Sequence, residues 1–595
     1  MSIVRWSLDD LYTSFDSEEY LADIKKLDDI IEDFTKWSDA NLSSLDDPVY
    51  KIETYLKKLI DYTTLFSKLT SYPSLTTSVD AKNETALKYL DKLHSKHILT
   101  TKANIKFQNF IKSLDNLDDI IEKSPFLREH SFYLKEIELN TRYLLSEDEE
   151  IIISKMKNTG SRAWSKLQNV ITSTLLVDIE IDGEIKKLPL PVVRNMAYSK
   201  DAEIRKKAYE AELNSYSKIE ESSAAALNGI KGEVLTTSEL RGYKSPLEET
   251  LINSRMDEET LDAMLNAIRE YLPYFHKYYR KKGEMLGHKN GLPFYDIFAP
   301  IGNMDRTYTY EEARDYIVKN FRTFSDRLAD FAENAFNSRW IDAEPREGKR
   351  GGAFCSNIHP IKQSRILANF SGSFDNVLTL AHELGHGYHG NCLKNESILN
   401  SRYPMPIAET ASIFCETIVM NAALKEAKDE EKLNLIEKSI QDAGQVIVDI
   451  YSRFLFESEL FERRKDHSLS VKELKEIMLD AQKKAYGDGL DHEYLHPYMW
   501  INKTHYYYAE RNFYNFPYAF GLLFSKGLYA KYLEDGEGFV KEYDSFLRAT
   551  GKNSIYDVAK IMGINVHSID FFRSSLELIR KDIEVFIALE GATGK

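Results

Sequence analysis

The 595-residue chain sets 78 Lys and Arg against 94 Asp and Glu, a formal net charge of −16, and is 43% hydrophobic and 29% charged. Acidity of that size without a basic patch excludes nucleic acid as a partner, while the apolar fraction suffices for a large core of the ordinary globular kind. Three cysteines, Cys355, Cys392 and Cys415, have no paired spacing, which argues against a disulfide framework and fits a reducing compartment. The first residues lack a basic start followed by an apolar core, and no run of 18 apolar residues occurs. The expectation is a cytoplasmic protein with no membrane partner.

Residues 1–175 place apolar residues three and four apart, as in EEYLADIKKLDDIIEDF and DNLDDIIEKSPFLREHSFYLKEIE, which predicts amphipathic helices interrupted at Pro48, Pro73 and Pro125. The acidic run from Ser146 to Glu150 reads as a solvated helix start. Between 175 and 193 the pattern changes to alternation around Asp182-Gly183, a β-hairpin signal. The hairpin marks a seam, giving an N-terminal helical lobe over 1–195 and a second region over 196–595 that carries the chemistry. Helix resumes from about 200 and again over 307–340 and 428–490. Gly351 and Gly352, beside the short run AFCSNI, suggest backbone that comes close to another group. Residues 365–370 read as a short strand, against whose sheet an extended peptide could pair.

The segment 371–390, SGSFDNVLTLAHELGHGYHG, contains His382, Glu383 and His386 in the order H-E-x-x-H. Histidines four apart on a helix share a face about one turn apart, so both imidazoles can reach one small metal ion. Glu383 is rotated roughly 100° from His382, too far to be an easy ligand but able to hold a water on the metal. That is the constellation of a zinc peptidase, with the carboxylate as general base. Ser373 is the expected N-cap and Asp375 suits the first turn. Val377, Leu378, Ala381 and Leu384 supply apolar surface, and Gly385, Gly387 and Gly390 are expected to weaken the helix and end it.

A catalytic zinc takes three protein ligands and keeps one position open. His389 continues the face of His382, but two turns on, about 10 Å along the axis. It suits a supporting or substrate-facing role better than that of third ligand. The other candidate lies in 404–427, PMPIAETASIFCETIVMNAALKEA, a helix with prolines at its start. Ile407, Ala411, Phe414, Ile418 and Val419 make it core-facing, and Glu409 and Glu416 share that side. A carboxylate there requires a partner, which a metal would provide. Downstream, 492–521 is crowded with tyrosine and histidine, where a hydroxyl or imidazole could donate to a carbonyl oxygen as it gains charge.

HELGHGYHG followed by PIAETASIFCE resembles the thimet oligopeptidase family, and in particular its oligoendopeptidase F branch. The likeness extends to YDIFAP at 295–300, KRGGAFCS at 349–356, ILANFSGSFDNVLTLAHELGH at 366–386 and the tyrosine-rich run near 505–521. The resemblance implies a mainly α, multi-helix, two-lobed fold enclosing a deep channel for short peptides, with a small hairpin and a short active-site sheet. It implies one zinc ion on His382, His386 and Glu409, with Glu383 as general base and Gly351, Gly352 and Ala353 in a substrate-contacting loop. His505 with Tyr514 or Tyr518 would serve as oxyanion donors, and Glu416 and Asp375 would orient the histidines through hydrogen bonds. Thr504 before His505 and Phe520 before Gly521 depart from the family pattern, so the choice between the two tyrosines stays open. Two rival functions fit the same residues: a dipeptide-releasing exopeptidase of the same family, and a helical peptide-binding protein with an inactive metal site.

Overall fold

A computed structural model describes residues 4–302 and 306–593. It is mostly helical, with a two-stranded and a three-stranded sheet as the β-structure among the described residues. The described residues form two compact units, each gathered from three separated stretches. The first takes Met1–Leu144, Arg306–Ala422 and Lys531–Ile564, and the second takes Leu145–Asp305, Ala423–Ala530 and Asn565–Lys595.

In the first unit, the N-terminal helices share one apolar core with the segments on either side of the H-E-x-x-H helix. Leu27, Phe34, Leu56, Leu69 and Phe107 lie in the same cluster as Ile358, Leu367 and Leu399. Pro48 opens a 32-residue helix, Pro48–Val79, as a proline at the first position should. Pro73, expected to interrupt, sits inside that helix, where buried Leu69, Tyr72 and Leu75 hold the turn on both sides of it. The three-stranded sheet runs β3 (Ile341–Asp342), β5 (Gln363–Leu367), β4 (Phe354–Ile358), with β3 parallel and β4 antiparallel to β5. The strand expected over 365–370 is therefore the central one, and the edge is presented by β4, the AFCSNI run. Buried Arg365 fastens β5 to the N-terminal segment through Ser7 O at 2.7 Å and Asp10 Oδ2 at 3.0 Å.

The second unit contains the hairpin β1 (Leu176–Ile181) and β2 (Glu184–Pro189). Its two-residue turn has Asp182 at φ 57° and Gly183 at φ 79°, the left-handed pair that the Asp-Gly dipeptide favours. Val177 and Ile179 turn inward to meet Tyr216, Leu227, Phe456 and Trp500. Ser146 caps the Glu147–Thr159 helix in a capping box with Glu149, so the acidic run is a helix start.

No span was expected, yet Met405–Glu426 has the length of a crossing helix and a mean hydropathy of 1.3 in its most apolar window. Most of that window is buried inside the protein. The apolarity belongs to a core helix that also carries Glu409 and Glu416.

Candidate active site

The Phe374–Leu393 helix starts where expected, with Ser373 Oγ accepting from Asn376 N–H and Asp375 in the first turn. It does not stop at its glycines. A Cβ on Gly385 would stand 2.5 Å from Ala411 O, one on Gly387 2.9 Å from the Phe331 ring, and one on Gly390 2.2 Å from Asn357 Cγ. These glycines exist for close approach: they let the next helix and β4 lie directly against this one. Val377, Leu378, Ala381 and Leu384 are buried as predicted.

Close packing at Gly385 brings the 404–427 segment into reach. Its helix is broken for one residue at Glu409, between Met405–Ala408 and Thr410–Glu426. Glu409 Oε2 lies 3.2 Å from His382 Nε2 and 3.6 Å from His386 Nε2, and accepts from Ser412 Oγ at 2.9 Å. One donor atom from each of His382, His386 and Glu409 falls within 4.8 Å of the others. A tetrahedral zinc with ligands at about 2.0–2.1 Å holds them about 3.3 Å apart, so the donor set fits such an ion in type and in spacing. His382 Nδ1 faces Glu416 Oε2 at 3.2 Å, which fixes the ring and turns Nε2 toward Glu409.

The electrostatics reflect a site short of positive charge. Burial opposes a proton on His382, but Glu409 and Glu416 outweigh it and raise its pKa to about 10. Burial and the charge on His382 push His386 down to about 4. Burial also works against the Glu409 anion, yet the hydrogen bond from His382 and the charge of His386 hold it at about 2. Glu383 is raised to about 7, chiefly by burial, and its Oε2 is buried without a hydrogen-bond partner among the described residues. A divalent cation among these donors would displace the His382 proton and draw Glu383 down.

His389 is not part of this cluster. It is fully buried, bonded through Nε2 to Thr550 Oγ1 at 2.8 Å and stacked on Tyr403 with centroids 3.9 Å apart. It does not join the ligands, because it falls on the side of the helix that packs against its own unit. Gly351 and Gly352 are exposed and Ala353 half-buried, in the loop that leads into β4. Gly352 has φ 78°, and Asn369 Nδ2 donates to its carbonyl at 2.9 Å. Asn357 escaped the sequence reading: it donates from Nδ2 to His386 O at 3.0 Å and accepts from Ser364 Oγ at 2.7 Å, tying β4 to the helix. Ser412 was also missed, although its position three residues after Glu409 is the spacing of a local bond.

His505, Tyr514 and Tyr518 belong to the second unit and gather there. The His505 ring lies 5.5 Å from that of Tyr514 and 6.4 Å from that of Tyr518, and the tyrosines are 5.7 Å apart. Burial lowers the His505 pKa, assisted by Arg453, Lys503 and Arg511.

Two family sequence models match the chain: peptidase family M3 over residues 195–578 and oligopeptidase F over 113–175. Oligopeptidase PepF of Bacillus subtilis is 25% identical across 97% of this chain and 86% of its own length. The fold is shared with a Chlamydophila abortus protein of known structure, TM-score 0.84 and 22% identity over 98% of both chains. It is also shared with oligoendopeptidase-F from Enterococcus faecium, TM-score 0.70 and 18% identity over 97% of this chain and 98% of the other. An H-E-x-x-H helix with a carboxylate from its neighbour, on a mostly helical chain matched by these models, places the protein in peptidase family M3 as a metalloendopeptidase of the oligoendopeptidase F branch.

Proposed function

We propose that the chain hydrolyses internal bonds of short peptides, with one zinc ion held by His382, His386 and Glu409 and with Glu383 as general base. The observation that carries this is the convergence of the three donor atoms beside a buried glutamate that has one oxygen without a partner. When bound, the ion would supply Lewis acidity to the scissile carbonyl and acidity to the attacking water. Glu383 takes the proton from that water and returns it to the leaving amine. Glu416 keeps a proton on His382 Nδ1, so that Nε2 offers its lone pair. Ser412 and Ala408 O, which accepts from His386, hold Glu409 and His386 in place.

The free edge of β4 suits an extended peptide, which would add as a fourth strand and specify its register by backbone bonds. The support is that β4 pairs with β5 on one side and is tied to the helix at His386. We assign donation to the carbonyl oxygen to His505 with Tyr514 or Tyr518, on the gathering of the three rings and the lowered value of the imidazole. We take 196–595 as the catalytic region.

The test is a fluorogenic peptide in two forms, one blocked at both ends and one with free ends, each assayed with and without chelator, with products mapped by mass spectrometry. Internal cleavage that chelator abolishes is expected. Release of dipeptides from free ends alone would favour the exopeptidase, and binding without turnover would favour the inactive binder.

A further inference from the structure

The second unit contains a cavity of about 480 Å³ built within its own residues, none of them part of the His382–His386–Glu409 cluster. Its walls are aromatic: Tyr198 packs on Phe298 at 4.9 Å, Tyr209 on Tyr295 at 5.6 Å and Phe294 on His496 at 5.2 Å between centroids. One side is a single turn of π-helix, Gln445–Asp449, whose end residues both line the space. Such wide turns are uncommon and gather at functional sites.

The carboxylates around this cavity are already matched. Arg205 Nε meets Asp296 at 2.6 Å, Arg194 Nε meets Glu212 at 3.2 Å, Lys438 Nζ meets Asp442 at 3.4 Å, and Arg453 pairs with Asp449. Lys503 also lines the cavity. Among the described residues no ion pair or hydrogen bond reaches its Nζ. The charges that reach it come from Arg453, Asp449, Arg194 and Glu212, two of each sign. It is a cation left over after the pairing, in a lining that sets aromatic rings beside paired charges. An ammonium drawn partly out of water with no carboxylate bonded to it is costly, and an arriving anion would supply that bond as a charge-assisted one. The size suits a molecule larger than a simple ion.

We propose that this cavity binds a small organic acid of amino-acid to dipeptide size, its carboxylate meeting Lys503 and its body lying on the aromatic wall. This does not depend on the zinc reading. Burial holds the Lys503 amine at about 7, so the same site loses its charge, and its hold on a carboxylate, as pH rises past that value.

The experiment is calorimetric titration of the full chain in chelator, at about pH 6, with three probes: N-acetyl-L-phenylalanine, its amide, and acetate. The acid is expected to bind about tenfold or more tightly than the amide, the yield of one charge-assisted bond, and more tightly than acetate. Lys503→Met, checked for folding by its melting curve, should weaken the acid about tenfold and leave the amide unchanged. Wild-type affinity for the acid should fall by about pH 9, a readout independent of any variant. Equal affinity for acid and amide, acetate binding as tightly as the acid, undiminished binding to Lys503→Met, or no heat at about 10 mM acid would each overturn the proposal.

Discussion

The two units hold polar clusters of opposite need. In the first, two imidazoles and two carboxylates crowd together at 3.2–3.6 Å, and a proton drawn onto His382 answers their demand for positive charge. In the second, arginine and lysine answer each carboxylate around the cavity, and among the described residues the Lys503 amine remains without a partner. The same rule, that buried charge must be compensated, therefore points to a cation in one place and an anion in the other.

Removing the base should produce the largest effect. Glu383→Gln keeps the donor set, so zinc content should stay at wild-type level while kcat/KM falls about 10³-fold, within the range of general-base catalysis. Wild-type turnover would remove Glu383 from the chemistry. Glu409→Ala breaks the cation side directly: metal analysis after dialysis should find almost none of the ion that the wild type retains, and full retention would point to another third ligand. Glu416→Gln is milder, because His382 loses its orienting partner but not its lone pair. A loss of about 10–100-fold in zinc affinity or activity is expected, and no change in either would leave Glu416 without that role.

Stability sharpens the other half. A lysine whose folded value is drawn from 10.5 to about 7 destabilises the fold wherever the unfolded chain would keep the proton. The cost is full below about pH 7 and fades toward the unfolded value. Lys503→Met should therefore melt above the wild type at about pH 6, by a margin worth a few kcal/mol, and the two should converge by about pH 10. A variant that melts lower at about pH 6 would show that Lys503 holds the fold together. Gly385→Ala should cost about 1–3 kcal/mol by overpacking, since its Cβ would stand 2.5 Å from Ala411 O. Gly351→Ala, open to solvent, should change the melting temperature little by comparison.

Much of the metal cluster was legible because helical spacing is local. His382, Glu383 and His386 are fixed by 3.6 residues per turn, and Asp182-Gly183 declares its own turn. The glycines were misread for the opposite reason. Their packing partners, Ala411 and Asn357, lie 26 and 33 positions away in sequence, so the signal resembled a helix stop. His389 has the right period but faces its own core, which a helical repeat does not reveal. The edge of the sheet followed from strand order, which sequence pattern leaves open. Residues 1–144 share a unit with 306–422 through long-range apolar contacts that leave no mark in either stretch. Lys503 stood inside a segment read for its tyrosines, and its isolation emerged only when its neighbours' pairings were known.

Anomalous diffraction at the zinc edge from crystals of the zinc-loaded protein tests the central claim most directly. A single strong peak bonded to His382 Nε2, His386 Nε2 and a Glu409 oxygen is the expected result. A peak coordinated elsewhere, or none in crystals of protein that still cleaves peptides, would contradict it.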